Sequence, residues 1–363
     1  MLWNDCHLTY CLNVHPGEGL SEVLAAIRGP AAEVKERICP DEPFGLGLRL
    51  SAEAAREMEP DVARYRREFD DAGLYAFTIN GFPYGRFHGA PVKTEVYDPD
   101  WTCPERLTYT RRLARVLADL LPEGVTGSIS TVPLGYGGEI REAAVENLLQ
   151  AARTCRRLLQ ETGREVVLAL EPEPDCLLST TDDVLEFWPR LSRAGDETTL
   201  RHLGVCLDGC HVACEFERLA ESLRRLEEAG IRVPKIQISA APRLPAGTDP
   251  VEALSPFDED VYLHQTRVRS GGEVLSFPDL PAALEQNPPG EWRVHFHVPL
   301  HFAPPGDLAT TADLLDEEFL ARALTPGRHL EIETYSFHVL PGGGGQVVDS
   351  ICGEFRWLME RVG

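Results

Sequence analysis

Short runs of β-forming residues recur along the chain as HLTYCLNV, FGLGLRLS, LYAFTING, GSISTVPL, VVLALEPE, HLGVCLDG and VPKIQISA, each followed by a longer segment. Two of those longer segments carry apolar residues at helical spacing. Pro104–Leu121 aligns Leu107, Leu113, Val116, Leu117, Leu120 and Leu121, and Ile140–Leu159 aligns Val145, Leu148, Leu149, Ala152, Cys155 and Leu159. A helix between successive strands carries the chain back to start the next strand in the same direction, so the sheet must be parallel. An open doubly wound sheet is the rival arrangement, but HPGEGLSE after the first run lacks G-x-G-x-x-G, and no phosphate loop follows any strand. Runs spaced roughly 30 to 50 residues apart suit barrel units with moderate loops. The fold class is therefore α/β, a (β/α)₈ barrel occupying residues 1–363 as one domain.

The rhythm breaks after VPKIQISA. AAPRLPAGTDP reads as a loop, and VYLHQTRV with SGGEVLSF reads as a β-hairpin around Gly271 and Gly272, so residues 240–300 form an insertion between the seventh and eighth strands. RVHFHVPL and HLEIETYSF then offer nine strands for eight places, and one must be accessory. Residues 341–346 read as a turn and Val347–Val362 as a closing helix.

A formal net charge of −23 argues against a nucleic-acid partner, whose binding draws on clustered Lys and Arg. A small polar metabolite, including an anion drawn to a bound cation, is compatible with it. No apolar stretch approaches the roughly 18 to 20 residues of a membrane span. The opening MLWNDCHLTYCLNVHPGE has no basic region followed by an apolar block, and ten scattered cysteines suit reduced, buried thiols. The expectation is a cytoplasmic protein, with homo-oligomerisation left open. Cys206, Cys210 and Cys214 match no common zinc or iron–sulfur spacing.

Residues at the carboxyl ends of barrel strands face the active-site mouth. Glu171 ends VVLALE, Asp208 ends VCLD and Glu333 ends LEIE, so three apolar strands finish in an acid. One such acid could cap a helix or pair with Arg. Three converging acids repel one another, and a divalent cation holds them charged together economically. His211, in DGCH, could bind that cation or a substrate oxygen. Gln237 sits between Ile236 and Ile238 on the opposite strand face, and its amide oxygen is either a weak ligand for a hard cation or a satisfied core group. His295, His297 and His301 form the densest histidine group, with His297 nearer the strand end and better placed to reach a pocket. Asn13, His15 and Glu18 in NVHPGE, with Asn80 and Tyr84 in TINGFPYG, offer polar and aromatic surface for a polyhydroxylated ligand.

The acid-ended strands, with Asp208 and His211 in D-x-x-H, Gln237 and Glu333, resemble the xylose-isomerase-like TIM-barrel superfamily of sugar isomerases and epimerases. More narrowly, LTYCLNVHPGE, TINGFPYG, LALEPEP, HFHVPLH and LEIETYSF resemble the EboE family of metabolite-traffic proteins across nearly the whole chain. The superfamily resemblance implies one divalent metal ion (Mn, Mg, Co or Zn) on Glu171, Asp208, the seventh-strand residue and Glu333, with His211 touching substrate. Gln237 stands where ketose epimerases usually present His, so metal binding turns on this position. The narrower resemblance implies an association with the biosynthesis or trafficking of a small metabolite.

The expected function is a metal-dependent isomerase or epimerase of a sugar, cyclitol or related polyol. In it Glu171 and Glu333 remove and return a proton, His211 assists catalysis, and Asn13, His15, Asn80, Tyr84 and His297 bind substrate. Two alternatives stand beside it: a metal-dependent hydrolase or phosphoesterase with His211 or His297 as proton shuttle, and a small-metabolite binding protein without turnover.

Overall fold

The computed structural model describes residues 1–342 and 345–362. Eight strands lie side by side and parallel: β1 (Cys6–Tyr10), β2 (Phe44–Arg49), β3 (Leu74–Asn80), β4 (Gly127–Thr131), β5 (Val166–Leu170), β6 (Leu203–Asp208), β7 (Lys235–Ile238) and β8 (His329–Ile332). Each corresponds to one of the runs read from sequence. Strand β8 pairs with β1, carrying the sheet round, and β1 meets β2 through the Cys11–Gly47 bridge and a bond from Thr9 Oγ1 to Gly45 O of 2.7 Å. A short antiparallel strand, Leu2–Trp3, flanks β1.

Helices pack around these strands. α1 (Pro104–Leu120) begins with Pro, whose missing N–H costs nothing in a first turn. α2 (Glu142–Thr162) ends where Gly163 adopts a left-handed φ of 73°, which a side chain would disfavour. α3 (Thr181–Ala194) opens with a Thr180/Asp183 capping box. No helix among the described residues is long and apolar enough to cross a membrane.

The ninth run is the accessory one. Glu291–Val294 belongs to a separate five-stranded antiparallel sheet between β7 and β8, beside Pro242–Leu244, Thr266–Ser270, Glu273–Phe277 and Ala309–Thr310. The hairpin turns at Gly271 and Gly272, both with positive φ, where the sequence placed it. Past Val294 the chain returns to the barrel mouth, and Val298 N donates to Ala240 O at 2.9 Å. Of the turn read at 341–346, Gly343 and Gly344 lie outside the described residues.

The closing helix α4 (Val347–Val362) anchors this region through buried Glu354. Its Oε2 accepts from Leu300 N at 3.1 Å and Thr334 Oγ1 at 2.7 Å, tying together the end of the insertion and the turn after β8. Burial pushes its carboxyl up to about 7. An unfolded Glu ionises near pH ~4.3, so from there to about 7 the unfolded chain loses a proton that the folded one keeps, and stability falls as pH rises. Glu354→Gln removes this titration. We expect its stability relative to the parent, in urea unfolding with chelator present, to improve by about 3 kcal/mol between pH 4.5 and 8, order of magnitude only. A pH-independent difference would refute the assignment.

Candidate active site

The floor of the site lies inside the barrel and is polar. Thr78 Oγ1 and Ser128 Oγ lie 2.8 Å apart, Ser128 Oγ meets His329 Nδ1 at 2.7 Å, and Lys235 Nζ pairs with Glu331 at 2.6 Å with both side chains fully buried. Gly47 on β2 makes room for that pair, because a Cβ there would lie 1.9 Å from Glu331 Oε1.

One layer above, toward the carboxyl ends of the strands, Glu171, Asp208 and Glu333 converge. Each is buried, and each offers an oxygen within 4.8 Å of the other two. Asp208 caps the helix Gly209–Cys214, its Oδ1 accepting from His211 N at 2.9 Å and from Ser239 Oγ at 2.8 Å. That cap turns His211 back over the acids, which is the physical content of the D-x-x-H spacing. Glu333 Oε1 accepts from Asn13 Nδ2 at 2.7 Å and Asn80 Nδ2 at 2.9 Å, so two asparagines, one in the turn after β1 and one at the end of β3, aim this carboxylate.

Glu171 Oε2, Asp208 Oδ2 and both amide atoms of Gln237 are buried without a hydrogen-bond partner. Orphaned acceptors cost free energy unless something completes them. Three oxygens from acids and an amide oxygen on the adjacent strand are a donor set suited to a hard divalent cation, so the residues present fit one. Gln237 is a weaker donor than imidazole.

Electrostatics separate the acids. Burial pushes Glu171 up to about 7, with Asp208 adding to the rise and His211 opposing it. Burial, then Glu171 and Asp208, hold Glu333 well above the usual range. Burial would raise Asp208 too, but His211, His297 and its hydrogen bonds keep it below the usual value. His211 is pushed up to about 9, burial being outweighed by Asp208, Glu173 and Glu171.

The open pocket over this layer is lined by Asn13, Asn80, Glu171, Glu173, His211, His295 and Glu333, with an aromatic and apolar rim that includes Phe82, Phe87, Tyr97, Tyr262 and Tyr335. His297 lies deeper, its Nε2 3.4 Å from His211 Nε2. Two expected substrate contacts lie elsewhere. Asn13 sits inside the tight turn Leu12–Val14, which swings His15 away to Tyr10 OH at 2.9 Å. Tyr84 follows a turn closed by Phe82 N on Asn80 Oδ1 and packs edge-on against Tyr109. Glu18 pairs with Arg49 at 2.7 Å. His301 lies apart from the pocket lining.

Sequence reasoning passed over Glu173, Tyr97, Gln265 and Tyr335. Tyr97 OH donates to Glu173 Oε1 at 2.5 Å, Gln265 Nε2 donates to Tyr97 OH at 2.8 Å, and Gln265 Oε1 accepts from His295 Nδ1 at 2.7 Å. Glu173 had a signal: it stands two residues beyond Glu171. Tyr97 and Gln265 come from distant loops, and nothing in their local sequence marks them.

Solved structures similar to this chain include a xylose isomerase-like TIM-barrel protein from Mycobacterium smegmatis in complex with magnesium, 12% identical, with 98% of this chain and all of that one covered and a TM-score of 0.50. A xylose isomerase domain protein from Planctomyces limnophilus gives 13% identity, 98% and 95% coverage and a TM-score of 0.50. The chain has the TIM-barrel fold. At such identities the likeness speaks for the barrel and not for its chemistry. No protein-family model matches the sequence, and no curated protein does.

Proposed function

We propose that this protein is a metal-dependent isomerase or epimerase acting on a sugar, cyclitol or related small polyol. The observation that carries the reading is the convergence of Glu171, Asp208 and Glu333, two of them with unpartnered oxygens, at the floor of a pocket with a polar base and an aromatic rim. Glu171, Asp208, Gln237 and Glu333 would hold one divalent ion, which when bound would neutralise the acids and polarise adjacent substrate oxygens.

The chain's own residues then divide the proton work. Glu171 and Glu333 rise from strands three places apart, so a substrate carbon between them can lose a proton to one carboxylate and regain it from the other. Asn13 and Asn80 fix Glu333, while Glu171 keeps Oε2 free. Their raised proton affinities suit a pair that must both accept and donate near neutral pH. His211 faces the pocket as a contact for a substrate oxygen, and the rim aromatics limit access of water.

Gln237 supports a second reading, a binding protein for a small metabolite that retains the barrel without turnover. Its amide is the weakest donor of the set. The narrower resemblance to EboE-like metabolite-traffic proteins points the same way. The two readings separate in D₂O. The protein, supplied in turn with Mn, Mg, Co and Zn, is incubated with a panel of ketoses and inososes and followed by NMR. We expect deuterium to enter at a carbon beside the carbonyl of at least one panel member. Ligand-dependent thermal stabilisation without any incorporation would overturn the isomerase reading in favour of the carrier.

A further inference from the structure

Beside the three convergent acids, the inserted sheet helps to build a wall of the pocket whose hydrogen-bond directions are fixed. Gln265 Nε2 lies 3.0 Å from Pro174 O. A carbonyl oxygen only accepts, so this end of the amide is the NH₂ and the other end is its oxygen. Gln265 Oε1 therefore accepts from His295 Nδ1 at 2.7 Å, and Gln265 Nε2 also donates to Tyr97 OH at 2.8 Å. Tyr97 then gives its one hydrogen to Glu173 Oε1.

Each chain of bonds ends in an acceptor. Glu173 receives a hydrogen and offers none, and His295, with its hydrogen on Nδ1, keeps a lone pair on Nε2. Both side chains are more than nine-tenths buried, line the pocket and are neighbours, His295 Nδ1 lying 3.5 Å from Glu173 Oε1. Among the described residues, His295 Nε2 meets only Tyr335 OH, at 3.5 Å, the outer limit of a hydrogen bond. A ligand on this wall must bring donors. A hydroxyl brings one hydrogen, whereas an ammonium brings three and no lone pair.

Charge selects between them. Glu171, Glu173, Asp208 and Glu333 bring four carboxylates to this region, and one divalent ion together with a cationic His211 offsets three. Among the described residues lining the pocket, Lys93 is the one Lys or Arg, and Asp279 holds it at 3.0 Å, so a phosphorylated ligand finds no unpaired cationic side chain of either type. The rim favours a cation as well. Phe87, Tyr262 and Tyr335 pack as a triangle of rings with centroids 5.0, 5.2 and 5.3 Å apart, and aromatic faces attract positive charge.

We propose that Glu173 and His295 form an ammonium subsite, so that the pocket takes a polyol bearing a primary amine, an amino sugar or an aminocyclitol. It rests on the proposed function only for the polyol to which the amine is attached. The insertion then serves recognition, since Gln265 and His295 adjoin two of its strands, Thr266–Ser270 and Glu291–Val294.

Calorimetry on the full chain, with and without added Mn²⁺, tests this with matched pairs at a pH where the amines are protonated: glucosamine with glucose, isoglucosamine with fructose, and inosamine with inositol. We expect at least one amine to bind about 10-fold or more tighter than its hydroxyl partner, the usual worth of a hydrogen bond to a charged group. Glu173→Gln keeps an oxygen to accept from Tyr97 and should abolish that preference, with circular dichroism checking that it is folded. Tyr97→Phe leaves the charge in place and should retain it. No preference in any pair of the parent protein, or a preference unchanged in Glu173→Gln, would overturn the subsite. A loss common to both variants would trace the preference to packing and overturn it too. Preference for an amine, with no deuterium entering any ketose or inosose in D₂O, would uphold the subsite and defeat the isomerase reading, and deuterium entry without preference would do the reverse.

Discussion

Glu333→Gln and Glu171→Gln are each expected to lower the rate of substrate carbon-to-solvent proton exchange by at least about 10²–10⁴-fold, the usual worth of a positioned acid or base. The substitution is deliberately mild. A glutamine at 333 keeps an oxygen able to accept from Asn13 and Asn80, so the side chain can hold its place while losing the capacity to take a proton. A glutamine at 171 is likewise isosteric in a position where burial already favours the uncharged form. Folding should therefore survive, and the loss should lie in kcat more than in KM, since proton transfer is made in the transition state. Unimpaired exchange in both variants would remove these residues from the chemistry. Loss in one and only partial loss in the other would identify which carboxylate takes the proton in the direction assayed.

The parts of the molecule that were legible in sequence share a physical cause. A barrel strand is covered on both faces, so FGLGLRLS and VVLALEPE read as continuous β-forming runs, and the acid that ends such a run must emerge at the mouth. That is why Glu171, Asp208 and Glu333 could be placed together from position alone. Nearness in sequence to such a point proved a poorer guide. His15 lies only two residues beyond Asn13, yet an intervening turn sends it to Tyr10, and Tyr84 departs from Asn80 in the same manner. His295 and His297 lie past the strand Glu291–Val294, yet their rings stay 5.4 Å apart where the chain pairs back on Ala240. The contribution of Gln265 and Tyr97 depends on how the inserted sheet sits over the mouth, and no periodicity encodes that.

The least legible feature was the ion pair below the site. Lys235 opens the strand run KIQIS and Glu331 stands between Leu330 and Ile332, and charged side chains of these types ordinarily meet water. Both instead point into the barrel and are fully buried. Burial would drive the Lys235 ammonium toward neutrality, but Glu331 holds it well above its ordinary value. Lys235→Met should then cost about 3–5 kcal/mol, because it strands Glu331 without a cation in a site closed by Gly47. Removing both charges is a different matter. Lys235→Met with Glu331→Gln should recover most of the loss, since a buried pair repays little more than its own desolvation. Urea unfolding of the chelated protein measures both. Equal stability of the single and double variants would show that the cost lies in the lost packing of the lysine stem. If the pair behaves as expected, its role is to keep net charge out of the floor, so that the uncompensated charge above it comes from Glu171, Asp208 and Glu333 and draws a cation to their layer.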